Sequence, residues 1–178
     1  EEVDPKVNAL PIPCFDRARD MARKLRPEDH ADNPKSLCGL PIAVKDYNDV
    51  GGVRTTYGSP IFAQSVAAQS DATVRQLERN GAIPMAKSNV PEWAGGNTFN
   101  PVFGATRNPW DLRMSVGGSS GGSAAALASG FEHIDILMSP KTELDVIEAQ
   151  TVLARAMAGA DAVHLLHPAD PDALCEIL

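Results

Sequence analysis

The chain has 178 residues, of which 43% are hydrophobic and 22% charged, as expected for a globular protein with its own core. Its net charge of -7 at pH 7, without any basic stripe, argues against a nucleic-acid or anionic-membrane surface. Three widely spaced cysteines without a CxxC pair predict neither a disulfide framework nor a zinc site. With no signal-peptide pattern and no stretch approaching the roughly 20 apolar residues of a membrane span, we expect a cytoplasmic protein.

Helix and strand patterns alternate along the first half of the chain. Residues Phe15 to Leu25 place apolar side chains at helical spacing and predict an amphipathic helix. Pro41 to Val44 is typical of a buried strand, and AIPMAKS predicts a second one. Between them, Asp71 is a candidate N-cap of a helix that Gly81 closes. This strand–helix–strand order favours an α/β fold with some parallel pairing.

Loops and a changed C-terminal character complete the pattern. Gly51 to Gly58 and the segment GGNTFNPVFGATRNPWDL are rich in Gly, Asn and Pro, which predicts loops of the kind that carry function. After Gly130, the residues Ile134 to Met138 predict one more apolar strand, and Leu144 to Met157 predict a helix.

The run RMSVGGSSGGSAAALASG, residues 113–130, has three candidate interpretations: a linker, a phosphate loop and a hydrolase centre. A linker would continue in polar residues, whereas this run turns into strong helix formers, so its glycines lead into a helix. A helix N-terminus attracts phosphate. However, the run lacks both the Lys of a P-loop and the G-x-G-x-x-G spacing of a dinucleotide loop, so nucleotide binding is disfavoured.

The hydrolase interpretation uses Ser119 and Ser120 as hydroxyls whose glycine neighbours let a substrate approach closely. These glycines are Gly117, Gly118, Gly121 and Gly122. A hydroxyl nucleophile needs a base, and none of the histidines lies near a G-x-S-x-G elbow. The histidines are His30, His133, His164 and His167. A lysine can serve when burial lowers its pKa, and Lys45 at a strand end is the best placed. Alternatively, Lys45 is a strand-end charge paired with Asp46 or Asp49.

The sequence from Gly39 to Gly130 resembles the amidase signature family. GLPIAVKD is similar to the segment that carries the family's catalytic lysine, and GGSSGGSAAALASG is similar to the serine- and glycine-rich signature itself. Between them, SDATVRQLERNGAIPMAKSNVPEW and FNPVFGATRNPWD resemble further family segments in the family's order. With DPKVNAL and the following helix, the resemblance covers residues 1–130. It implies an α/β fold, a mixed sheet flanked by helices, here incomplete.

The resemblance implies an enzyme, an amidase that cleaves the C–N bond of a small-molecule amide through a Ser–Ser–Lys triad and an acyl-enzyme, without cofactor or metal. Lys45 would be the base, and Ser119, after a cis peptide bond, would relay a proton between Lys45 and the nucleophile. Ser120 and the four glycines would support this relay. Trp93 and Asn97 are candidate substrate-binding residues. The loop aromatics either line a pocket or pack on the core; they are Trp93, Phe99, Phe103 and Trp110.

The chain departs from the family pattern after Gly130. The family's nucleophile lies about two dozen residues beyond the relay serine, in a D-x-G-G-S turn whose amides form the oxyanion hole. The corresponding position falls near Glu143, and no such turn is present. FEHIDILMSP instead resembles a strand near the family's C-terminus. We therefore expect residues 1–130 to be the N-terminal part of an amidase signature domain and residues 131–178 a segment of the same domain, joined after a deletion or omitted stretch.

Two other functions stay open: a catalytically silent fragment or interaction module, and an amidotransferase subunit that releases ammonia from glutamine. Ser119 acting as nucleophile in a Ser–Lys dyad is disfavoured because it would lack a built oxyanion hole. His164 and His167 lack a third ligand, so metal binding is not predicted. The expected partner is a small-molecule amide, with no nucleic acid and no membrane, and a homo-oligomer is left open.

Overall fold

The helices and strands alternate along the chain in a mixed α/β arrangement. The computed structural model describes residues 4–26, 28, 33 and 35–130, and the backbone of residues 134–136. The helices are α1 (Asp4–Val7), α2 (Phe15–Lys24), α3 (Ala72–Arg79) and α4 (Gly121–Ala128). The strands are β1 (Ile12–Pro13), β2 (Pro41–Lys45), β3 (Ile83–Ser88), β4 (Phe99–Asn100), β5 (Gly104–Ala105) and β6 (Ile134–Ile136).

Four of the strands form one mixed sheet in the order β1-β3-β2-β6. β2 pairs in parallel with both β3 and β6, whereas β1 pairs antiparallel with β3. β2, α3 and β3 therefore form a crossover unit, which confirms the predicted strand–helix–strand order and its parallel pairing. The short strands β4 and β5 make a separate antiparallel hairpin.

The pairing of β2 with β3 contains one bulge. Ile42 pairs with Pro84, but the next residue, Ala43, pairs with Ala86, so β3 holds one extra residue, Met85. Proline has no N–H to donate to a ladder and is found in sheets at edges and bulges, which accounts for the irregularity beside Pro84. Beyond the bulge, the register pairs are Val44 with Lys87 and Lys45 with Ser88.

Buried side chains of the described residues form two apolar clusters. The larger cluster joins Ile42 and Val44 of β2 to Leu77 of α3. The smaller cluster joins Ala125 of α4 to Val7 of α1. Helix α4 therefore packs through small side chains. No helix in the described part of the chain has the length and apolar character needed to cross a bilayer.

Where they fall on described residues, the predicted elements match the structure apart from small shifts of their ends and the missing cap at Asp71. α2 begins at Phe15 as expected and ends one residue early. Asp71 precedes α3, but its side chain makes no capping bond; its Oδ2 instead accepts the backbone N–H of Asp49 at 2.9 Å. Gly81 follows α3 with φ +92°, as a closing glycine should. Only the first part of the predicted 134–138 strand is described, and the predicted 144–157 helix lies outside the described residues.

Candidate active site

The structure brings Lys45 and Ser119 together. Lys45 is the last residue of β2, and alternation along the strand turns it away from the face on which Val44 packs. Its Nζ donates a hydrogen bond to Ser119 Oγ at 2.8 Å. Only 3% of Lys45 is exposed. Two residues that are distant in sequence thus form a partly buried amine–hydroxyl contact.

Ser119 and Ser120 occupy the turn that enters α4. The peptide bond between Gly118 and Ser119 is cis. Ser120 stands at the N-cap position of α4, and both serines are half-buried. The cis peptide bond that the family resemblance implies before Ser119 is therefore present.

The glycines around these serines are required by close packing of the chain against itself. At three of them an added Cβ would overlap neighbouring atoms: on Gly118 it would lie 2.2 Å from Gly96 O, on Gly121 2.4 Å from Thr98 Oγ1, and on Gly122 2.4 Å from Asn89 N. Gly117 meets no close atom but has φ +72°, which favours glycine. The space left by three of the missing side chains is therefore taken by the protein, which corrects the expectation that it admits substrate.

A second hydroxyl contact lies beside the Lys45–Ser119 contact. Ser88, the register partner of Lys45, and Ser123 of α4 are fully buried, and their Oγ atoms lie 2.8 Å apart. Thr98 Oγ1 accepts the backbone N–H of Gly121 at 2.9 Å and holds the same segment from the other side. Ser88 is not among the residues predicted from the sequence. The sequence could have indicated Ser88, because it ends the predicted strand that follows the strand of Lys45. The carboxyl ends of neighbouring parallel strands lie at the same edge of a sheet.

The opposite face of β2 and β3 carries a buried ion pair. Lys87 Nζ lies 3.0 Å from Asp46 Oδ1, and both residues are 0% exposed. Burial lowers the pKa of Lys87 from its ordinary value, and the Asp46 carboxylate opposes that shift. The alternative prediction, an ion pair of Lys45 with Asp46 or Asp49, is therefore wrong. Asp46 pairs with Lys87 instead, and Asp49 Oδ1 accepts a hydrogen bond from the Tyr57 hydroxyl at 3.2 Å.

Trp93 belongs to an aromatic cluster in the loops. Its ring stacks on that of Tyr57 at a centroid distance of 5.9 Å and an interplanar angle of 12°, and it meets Phe62 edge-on at 5.5 Å. Trp93 remains 51% exposed. Of the other loop aromatics, Phe103 packs against the larger core cluster, whereas Trp110 is exposed.

Asn97 lines a cavity of about 380 Å³ next to the glycine-rich turn. Its other walls include Thr98, Phe99, Arg107, Leu112 and Met114. This volume is within the range that holds small ligands. Lys45, Ser119 and Trp93 do not line this cavity.

The described residues contain no group of three His, Cys, Asp or Glu side chains close enough to hold a metal ion. All four histidines, including His164 and His167, lie outside the described residues.

Two relatives show how far the sequence similarity extends. The protein named "Putative amidase AmiB2" of Mycobacterium tuberculosis is 46% identical over 136 residues, which are 75% of this chain and 29% of that protein. One subunit of the glutamyl-tRNA(Gln) amidotransferase of Carboxydothermus hydrogenoformans is 39% identical over 132 residues, 73% of this chain and 27% of that protein.

Solved structures agree with these relatives. A 6-aminohexanoate cyclic dimer hydrolase matches with a TM-score of 0.64 and 32% identity, over 72% of this chain and 26% of that one. A bacterial aryl acylamidase of the amidase signature family matches with a TM-score of 0.64 and 30% identity, over 72% of this chain and 28% of that one. The chain thus spans less than a third of each of these relatives. Because the sequence profile named Amidase matches residues 1–136, which is most of the chain, the chain belongs to the amidase signature family.

Proposed function

We propose that this chain carries the base and the proton relay of an amide C–N hydrolase. The observation that carries the proposal is the 2.8 Å hydrogen bond from Lys45 Nζ to Ser119 Oγ, made by a lysine that is 3% exposed. The names of the similar proteins, which include an amidase, an acylamidase and a component of an amidotransferase, support amide chemistry.

In the proposed reaction, Lys45 acts as base in its neutral amine form. Ser119 Oγ accepts a proton from the nucleophilic hydroxyl while its own proton passes to Lys45 Nζ. The nucleophile adds to the amide carbonyl, the proton returns through Ser119 to the leaving amine or ammonia, and water hydrolyses the acyl-enzyme. Because this sequence lacks the D-x-G-G-S turn that supplies the nucleophile and the oxyanion amides in the family, turnover requires other groups to supply both.

The proposed substrate is a small-molecule amide in a cytoplasmic setting. The cavity of about 380 Å³ beside the glycine-rich turn supports a small ligand. Asn97, which lines this cavity, and Trp93, which presents a half-exposed indole outside it, are both proposed to contact the substrate. Ser120 and the four glycines are proposed to hold Ser119 in place, three of the glycines through close contacts around the turn and Gly117 through its positive φ.

The test is hydrolysis of a panel of small amides, measured as released amine or ammonia. We expect Lys45→Met to abolish activity and Ser119→Ala to reduce kcat by about 1,000-fold or more. Lys24→Met and Ser65→Ala are matched controls at exposed positions and should retain activity. Activity retained by Lys45→Met, or a loss below about tenfold in Ser119→Ala, would remove that residue from the mechanism. An inactive unsubstituted chain would support the silent-module alternative.

A second candidate function is release of ammonia from glutamine for a partner enzyme. It is favoured by the amidotransferase components found within the set of relatives, such as that of Koribacter versatilis, which is 41% identical over 132 residues. Assaying glutamine beside aryl and alkyl amides separates the two functions. Release of ammonia from glutamine, without hydrolysis of the aryl or alkyl amides, supports the amidotransferase function. Hydrolysis of the aryl or alkyl amides supports the amidase function.

A further inference from the structure

The proposed mechanism makes no use of the buried ion pair between Asp46 and Lys87. Both residues are 0% exposed, and Lys87 Nζ also donates to Thr55 Oγ1 at 2.9 Å. Removing two charges from water is costly, and apolar residues of similar volume in place of a buried ion pair are often as stable or more stable. Stability alone therefore does not account for this pair.

The pair holds the backbone at Lys45. Asp46 follows Lys45 directly, and its backbone N–H donates to Ser88 O at 3.0 Å, which continues the pairing with β3 one residue beyond Lys45. Because side chains alternate along a strand, the Asp46 carboxylate anchors this backbone from the face opposite Ser119. Lys87 supplies its partner on that face. Lys45 thus contacts Ser119 on one face of the sheet, while the ion pair of Asp46 with Lys87 fixes the adjoining backbone from the other face.

The pair also holds the loop that leaves β2. The Asp46 carboxylate accepts from Thr56 twice, from the backbone N–H at 3.2 Å and from Oγ1 at 2.5 Å. With the bond from Lys87 to Thr55, the loop at residues 55–56 is tied to both strands. The strand end is therefore fixed by its neighbouring strand and by the chain that follows it.

We propose that Asp46 and Lys87 are positioning residues, whose buried pair fixes the end of β2 so that Lys45 Nζ stays directed at Ser119. The inference rests on the proposed function, because it assigns the pair to the orientation of the proposed base. Both residues lie on the face away from Ser119, so they act through Lys45 and touch neither the substrate nor the relay.

The experiment compares the full chain with Asp46→Leu/Lys87→Met, which replaces the pair by apolar side chains. Glu78→Gln is the control, because it removes the separate ion pair of Glu78 with Arg17. Acetic anhydride labels the folded proteins, and peptide mass spectrometry gives the rate at Lys45 relative to the exposed Lys6. We expect the relative rate at Lys45 to rise by at least about fivefold in the double variant, through local opening at β2, and to stay unchanged in the control.

Thermal unfolding of each variant separates positioning from general stabilisation. A pair that only stabilises the fold would lower the melting temperature and leave the labelling ratio unchanged well below it. Should the double variant not fold, the near-isosteric Asp46→Asn is labelled instead, with a rise at Lys45 expected. An unchanged ratio in a folded variant overturns the inference.

Kinetics keep this inference distinct from the function on which it rests. In an active chain, loss of the pair is expected to lower kcat for a small amide by at least about tenfold with KM within about twofold, because only the base is misdirected. A loss of kcat/KM that comes entirely from a higher KM, with kcat unchanged, would contradict the positioning role. An unsubstituted chain without amidase activity contradicts the proposed function, whereas the labelling ratio at Lys45 decides the positioning by itself.

Discussion

Gly122 lies where α4 passes the end of β3, and a Cβ there would lie 2.4 Å from both N and O of Asn89. We expect Gly122→Ala to lower the free energy of unfolding by about 3 kcal/mol, because no rotamer change relieves an overlap with backbone. Gly95→Ala is the matched control, since the nearest atom to its Cβ is 3.8 Å away. Urea denaturation measures both, and equal losses would contradict the close packing described here.

A residue-scale prediction concerns Tyr57. Burial raises the pKa of Tyr57 to about 12, with a further contribution from Asp49, whose carboxylate accepts from the hydroxyl. The ordinary value is 10.0, so the folded chain holds this proton more tightly than the unfolded chain does. The stabilising contribution is therefore complete below about pH 10 and is lost as the pH rises through about 12.

We expect Tyr57→Phe to lose less stability than the unsubstituted chain over that alkaline window, measured by urea denaturation at a series of pH values. Tyr47→Phe leaves the Tyr57–Asp49 contact in place and is the control. Identical slopes for the Tyr57→Phe variant and the unsubstituted chain would show that this tyrosine does not set the alkaline stability.

The sequence predicted the contact of Lys45 with Ser119 because long family motifs surround both residues. It did not predict the partner of Asp46. Lys87 lies on another strand, and no local pattern indicates which residues two parallel strands will place side by side. The neighbouring residue in the chain was therefore the natural but incorrect choice of partner.

Among the elements, α4 is held to β3 by the buried contact of Ser88 with Ser123. Ser123→Ala removes one hydroxyl of this pair and is expected to lower the free energy of unfolding by about 1 to 2 kcal/mol. Ser65→Ala at an exposed position should change it by less than about 0.5 kcal/mol. Chemical denaturation tests both, and a loss no larger than the control would mean that the contact does not hold α4.

The longer elements were predictable and the shortest were not. β2, α3 and β3 have enough residues for strand and helix periods to show in the sequence. β1, β4 and β5 have two residues each and carry no period, so only tertiary pairing defines them. Asp71 shows a different limit, because the residue type suited to an N-cap binds the neighbouring loop instead.

For the whole molecule, the sheet depends on chain beyond Gly130. β6 pairs in parallel with β2 at Ile42, Ala43 and Val44, so a chain ending at Gly130 would turn β2 into an edge strand. We expect the amides of β2 that face β6 to exchange with solvent at least about tenfold faster in that shortened chain. The amides of β3 that pair with β1 are the internal control. Unchanged exchange at β2 would contradict the pairing.

The bulge at Met85 decides where the two lysines of the sheet lie. If the pairing of Ile42 with Pro84 continued without a bulge, Met85 would pair with Ala43, and Lys45 would stand opposite Lys87 on one face of the sheet. Because of the extra residue, the two lysine side chains lie on opposite faces of the sheet, Lys45 beside the hydroxyl of Ser119 and Lys87 beside the carboxylate of Asp46. The bulge, rather than the order of residues in either strand, therefore keeps the two lysine environments apart.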